Sequence, residues 1–392
     1  MAFQYQLALL GDYGAQQALL TTRLLEQLDD LGVDRSQFRF FAEQELSLVD
    51  PKAPLVATFF GYNGARAQTH ASLAKLISDS TTIIPCVDDL QDASSKLPTT
   101  ISHINAFEYD GTDQSIVRLA TLILENFRLL RSERRVFISY KRNESQSIAI
   151  QLYEALDRAG FDAFLDTRSV PPASDFQSVL WHRMADSDIV ILLDTPSFRQ
   201  SHWTQLELSQ ANATNIQILH LLWPSVQADP SSAFSEFDKL QASDFRSSAR
   251  TGARPSISEK AIRRIIAKAE SLRARALAAR HRSLIDNFCD LARDHKARAI
   301  AVQPERYIAL ELAHGDHVAV VPMIGIPRAD RYQEIDTALR EKGNAAKKLW
   351  LLYDERGILQ EWLAHLDWLN SHLPVVSVQV SNCTDRLQGA VR

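Results

Sequence analysis

Short apolar runs alternate with amphipathic stretches of helix length along this chain, and that rhythm limits the fold more than any other feature. "VFISY", "FDAFLD", "DIVILLD" and "IQILHLLWP" are strand-length runs with little polar alternation. "SQSIAIQLYEALDRAG" separates the first two, and "FQSVLWHRMADS" separates the next two, each with apolar residues at helical spacing. A strand apolar on both faces has to be covered on both faces. Helices that cross over between successive strands provide that cover, so the pattern specifies a parallel sheet of the α/β class.

The rhythm occurs three times. Residues 1–131 give strands at "QYQLALLG", "FRFFA", "PLVATFFG", "TTIIPCV" and "INAFEYD" and helices at "AQQALLTTRLLEQLDDLG" and "DQSIVRLATLILENFRLL", the last with an acidic N-cap. Residues 132–278 form the second unit, in which 225–258 is an irregular connection with room for a last short strand. "EKAIRRIIAKAESLRARALAARHRSLIDNFCDLARDH" is a long helix or helix pair leading into residues 279–392. There "RAIAVQ", "RYIALEL", "HVAVVPMIG", "KKLWLLYD" and "PVVSVQV" read as strands, with two helices between the later ones. The expected fold is therefore α/β in three units. The strand spacing of the first unit resembles that of the second, so the first is either a degenerate copy of it or an unrelated α/β domain.

A length of 392 residues suits this division, since a single core seldom grows so large. A net charge of −5 argues against a chain dominated by nucleic-acid binding. The stretch from Arg246 to Arg282 runs the other way, with eleven Lys or Arg and two Glu. A nucleic-acid face is one reading of it. The favoured reading is a basic helix that pairs with acidic neighbours, because base-stacking aromatics are nearly absent there. Cys86, Cys289 and Cys383 are widely spaced and fit a chain without disulfides or structural metal. The N-terminus lacks the pattern of a signal peptide and no run reaches membrane-span length, so a cytoplasmic location is expected.

One segment, "SHWTQLELSQA", suggests chemistry. Trp203 and Glu207 stand at i and i+4, which places them on one helix face with Cβ atoms about 5–6 Å apart. The helix would follow a strand of a parallel sheet, and such sheets bind ligands outside the carboxyl ends of their strands.

Four segments in order make the second unit resemble a TIR domain of the bacterial kind: "VFISYKRNES", "GFDAFLDTRSVPPASDF", "DSDIVILLDTPSFRQSHWTQLEL" and "ILHLLWP". The third carries the S-x-W-x-x-x-E-L signature. Ala173 stands where the family often has Gly, and Thr204 where it often has Cys. TIR domains are of two kinds, assembly modules and enzymes that cleave NAD between nicotinamide and ribose. The resemblance implies the enzymatic kind, with Glu207 as the catalytic carboxylate. Trp203 would stack on a ring of the substrate, or else anchor its helix by packing. Lys141, Arg142 and Arg168 would meet the pyrophosphate, or else be solvated loop charges. Asp166 would order the loop after its strand, and Ser201 would line the site or cap the helix. NAD is then a substrate, and no cofactor or metal is called for.

The family further implies a homo-oligomer formed through TIR domains, an activating ligand or protein, and a role in anti-phage defence or signalling. A non-enzymatic TIR scaffold is the alternative. Two glycine turns, "GDYGAQQ" and "PMIGIPRAD", have the turn-then-helix form that can hold a phosphate, but neither gives G-x-G-x-x-G and both read as ordinary turns.

Overall fold

The computed structural model describes residues 5–14, 16–51, 53–62, 71–165, 176–196, 214–228, 235–246, 255–302, 307–341, 346 and 348–388. Among them the chain divides into two compact units, Met1–Ser132 and Glu133–Arg392.

The first unit contains β1 (Tyr5–Gly11), α1 (Gln16–Asp30), β2 (Phe38–Ala42), β3 (Leu55–Phe60), α2 (Ala71–Ser78), β4 (Thr82–Val87), α3 (Ala93–Lys96), β5 (Phe107–Glu108) and α4 (Asp113–Asn126). All strand pairs are parallel, in the order β2-β1-β3-β4-β5. The interior strand β1 is buried from Tyr5 through Leu10, as an apolar run covered on both faces should be. "INAFEYD" contributes only the two-residue strand β5. The expected acidic cap of α4 is not observed. Thr112 is the N-cap, its hydroxyl accepting from the Ser115 amide at 3.2 Å, and Asp113 is the first residue inside the helix. The turn after β1 is a packing requirement. Gly11 has φ +75°, and a Cβ there would lie 2.1 Å from the carbonyl oxygen of Phe60.

The second unit opens with β6 (Arg135–Ser139), α5 (Arg142–Arg158), β7 (Asp162–Leu165), α6 (Phe176–Asp186), β8 (Ile189–Asp194), β9 (Gln217–Leu222) and β10 (Ser235–Lys239). These strands are again all parallel, ordered β10-β9-β8-β6-β7. Counted from its own first strand, each of the two sheets runs 2-1-3-4-5. Strand β10 lies inside the connection expected to be irregular and forms the edge of the sheet. A short antiparallel pair, β11 (Phe245–Arg246) and β12 (Ser256–Ile257), follows it.

Helix α7 (Glu259–Asp294) is continuous over 36 residues and is capped by Ser258, which accepts from the Ala261 amide. Its first half places Ile262, Ile265, Ala269, Leu272 and Ala276 in the core of the central sheet, with Ile148, Leu152 and Leu156 of α5. Its second half places Leu284, Phe288, Cys289 and Ala292 in a different core. The expected division at 278/279 thus falls within one helix.

The second core belongs to a sheet of β13 (Ala299–Val302), β14 (Ile308–Glu311), β15 (His317–Pro322), β16 (Lys348–Tyr353) and β17 (Val375–Gln379), with α8 (Ala329–Glu341), α9 (Gln360–Asn370) and α10 (Cys383–Leu387). The sheet is mixed: β13, β14 and β15 pair antiparallel, and β15, β16 and β17 pair parallel.

The basic helix is bound inside the unit. Arg264 reaches Asp238 at 3.0 Å and Asp244 at 2.9 Å, and Lys268 lies 3.7 Å from Asp238. The guanidinium of Arg264 holds the Asp244 carboxyl below its ordinary range. Arg273 is fully buried, bonds Asp188 at 2.6 Å, and also donates to the Glu133 carbonyl at 3.3 Å. Beside it Arg134 bonds the buried Glu270 at 3.0 Å. These pairs pin α7 to the amino ends of β6 and β8.

Candidate functional site

Parallel pairing brings the carboxyl ends of β6, β7, β8 and β9 to one edge. Ile138 pairs with Leu165, Ser139 with Leu192, and Asp194 with Leu222. The segments that follow these strands leave from that edge, and Lys141 and Arg142 lie just beyond the end of β6. Phe137 and Ile138, just inside the edge, are fully buried core residues.

Lys141 and Arg142 sit at the junction of β6 and α5. Lys141 is the N-cap of α5, and because an ammonium accepts no hydrogen bond, no side chain caps the helix. The positive end of a 17-residue helix and two cationic residues therefore share the strand edge. The Lys141 ammonium is 3.3 Å from the Glu144 carboxylate one turn along, and Arg142 is exposed. Asp166, Arg168, Ser201, Trp203 and Glu207, together with Ala173 and Thr204, lie outside the described residues. Of the candidate set, then, the structure brings together Lys141 and Arg142.

Polar groups not anticipated from the sequence line the underside of this edge. Asp194, the last residue of β8, and His220 of β9 are both buried, with Nδ1 of His220 3.7 Å from the Asp194 carboxylate. On the other side of the ring, Nε2 lies 3.2 Å from the Ser235 hydroxyl of β10, and the imidazole packs 4.9 Å from Phe237. The separation from Asp194 exceeds hydrogen-bond range, and both side chains are enclosed in the sheet face, so the set is a polar link across three strands rather than an exposed nucleophile with its base. Thr195 follows with its hydroxyl buried and without a hydrogen-bond partner among the described residues. The available signal was the pair of polar residues interrupting the apolar runs "DIVILLD" and "IQILHLLWP".

Helix α6, which begins at Phe176, is held from both sides. Leu180 and Met184 pack on the central sheet. On its outer side Ala185 joins a cluster with Ile326, Tyr353, Ile358 and Leu366 of the C-terminal sheet. The Leu359 amide donates to Nδ1 of His182 at 3.3 Å, and Trp362 stacks on the same ring at 5.6 Å. The Ile326 amide donates to Asp186 at 3.0 Å.

Cysteine chemistry has no support at any of these places. All three cysteines are free and buried, and burial raises each thiol, that of Cys383 to about 11. Among the described residues no group of His, Cys, Asp or Glu could hold a metal ion, and no helix is long and apolar enough to cross a membrane.

Strand order, parallel direction and loop placement define the central domain as a flavodoxin-like α/β module with its functional edge at the strand carboxyl ends. Residues 136–257 match the family described as TIR domain, and the chain carries a TIR domain there. No curated protein matches the chain.

Proposed function

We propose that this TIR domain cleaves NAD between nicotinamide and ribose, releasing nicotinamide and either ADP-ribose or its cyclised form. The observation that carries the reading is that the family match over 136–257 encloses the S-x-W-x-x-x-E-L segment, in which Glu207 is the Glu. Glycoside cleavage ordinarily takes two carboxylates, because the leaving group needs a proton. The nicotinamide of NAD is already cationic and departs as a neutral ring, so one carboxylate suffices. Glu207 binds the ribose hydroxyls and stabilises the positive charge that develops at the anomeric carbon. Trp203 stacks on a ring of the dinucleotide. Lys141, Arg142 and the uncapped start of α5 favour the pyrophosphate, with Lys141 exchanging its Glu144 partner for it. Arg168 meets the same group from the neighbouring loop, Asp166 orders that loop, and Ser201 caps the helix.

Activity is gated by assembly through TIR domains, and the setting is bacterial anti-phage defence, with depletion of NAD or a nucleotide product as the output. The second reading, a TIR scaffold without turnover, is favoured by the same family match, since the family includes both kinds. A dilution series of the full chain with NAD, read as nicotinamide released per molecule, separates them. The enzyme reading expects release that falls per molecule as the protein is diluted. Persistent silence from protein shown by light scattering to be assembled supports the scaffold.

A further inference from the structure

Among the described residues of 133–392, the large apolar side chains left exposed are Trp362, at 40%, and Trp368, at 56%. Both stand on α9. They belong to a row of rings along its outer side. Trp362 meets His365 edge-on at 5.9 Å, His365 stacks on Trp368 at 6.1 Å, and Trp368 lies 4.5 Å from His372. Glu361, His365 and His372 are exposed as well. His372 follows the C-cap Ser371, and its Nδ1 is 2.8 Å from the Trp368 carbonyl, which keeps it in line with the helix. A carbonyl oxygen only accepts, so Nδ1 donates, and Nε2 is left for an outside partner. Tryptophan is the residue most enriched at the energetic centres of protein interfaces, and a row of exposed rings marks such a surface.

The spacing of the row specifies what covers it. Glu361, His365, Trp368 and His372 recur at intervals of four, three and four residues. Alternating fours and threes make the seam of two packed helices. The 4-3-4 series also reads the same from either end. That is the condition for a helix to pair with its own copy about a two-fold axis, where residue i meets j and j meets i. With the axis between Leu366 and Asp367, an antiparallel pair sets Glu361 against His372 of the partner subunit. It sets His365 against Trp368 of the partner subunit. Each carboxylate then faces an imidazole, each inner imidazole faces an indole, and no like charges are opposed.

We propose that a second copy of this chain docks on the exposed face of α9, forming a two-fold antiparallel helix pair with Glu361, His365, Trp368 and His372 in its seam. At 11 residues the helix offers about three turns, so the pair belongs to the weak, concentration-dependent class. The contact lies on a helix of the C-terminal sheet. It is separate from pairing through TIR domains and does not rest on the NAD-cleavage reading.

The test is light scattering of the full chain from about 1 to about 500 μM, the range in which a small interface fills. The mass is expected to rise from one chain towards two. Trp368→Ala is expected to weaken the pair roughly tenfold or more. His372→Glu sets carboxylate against carboxylate and is expected to weaken it similarly, and adding Glu361→Lys to that variant is expected to restore it. All three positions are exposed, so these changes leave the fold intact. A chain that stays monomeric over the whole range overturns the proposal. Association unchanged in Trp368→Ala overturns it too, since the contact would then lie on another surface, such as the TIR domain. Failure of Glu361→Lys to restore what His372→Glu removes overturns the antiparallel seam.

Discussion

At the scale of single residues, Arg273 carries a fully enclosed charge. Its guanidinium and the Asp188 carboxylate are both inaccessible to solvent and 2.6 Å apart. Removing one member of such a pair strands the other, at a cost of about 3–5 kcal/mol. Arg273→Ala is expected to lower the urea unfolding midpoint of the 133–392 unit accordingly, and a change under about 1 kcal/mol would contradict the role given to the pair. His182 offers a pH handle. Burial lowers its imidazole below the ordinary value, against the opposing pull of Asp186, and Nδ1 accepts from the Leu359 amide, which requires the neutral ring. In the unfolded chain the ring titrates near its ordinary value of 6.5, so below that pH the unfolded state takes up more protons than the folded one. The His182 contribution is whole above about pH 6.5 and is lost as pH falls towards the depressed folded value. Urea midpoints at pH 7.5 and 5.5 are expected to differ more in the parent than in His182→Gln. Equal differences would remove His182 as a source of that dependence.

At the scale of elements, what could be read from the sequence follows from what each element buries. The strands β1, β3, β4, β6, β8 and β9 are near-continuous apolar runs because helices cover both their faces, and a run of that kind is visible without a structure. Strand β10, "SEFDK", carries no such signal: an edge strand is half wetted and lacks the run. The sequence points to an acidic N-cap for α4, yet Asp113 is inside the helix and the neighbouring hydroxyl of Thr112 makes the bond. The antiparallel half of the C-terminal sheet was in principle legible. Glu311 ends β14 and His317 begins β15, and the five residues between them are too few for a crossover. The site divides in a similar way. Lys141, Arg142 and the "SHWTQLEL" segment stand out because each belongs to a polar stretch that follows an apolar run in the sequence. The Asp194–His220 link is assembled from single polar residues on neighbouring strands, and only strand order brings them together.

The whole molecule places a TIR domain and a mixed C-terminal sheet in one unit joined by α7. The helix gives its apolar stripe first to one core and then to the other, so neither domain owns it. A fragment of residues 133–278 should therefore be less stable than 133–392, since it uncovers the outer side of α6 around His182 and Ala185. Thermal unfolding and light scattering of the two fragments test this. Equal midpoints and a monodisperse short fragment would show that the C-terminal sheet contributes nothing to the TIR fold. The central claim is that the TIR domain is an NAD-cleaving enzyme working through Glu207. Its most direct test is nicotinamide release from NAD by the assembled full chain beside Glu207→Gln. The account predicts release by the parent and a loss of at least about a hundredfold in the variant, the scale of removing a group that stabilises transition-state charge. Equal release by both proteins would contradict it by removing Glu207 from the chemistry.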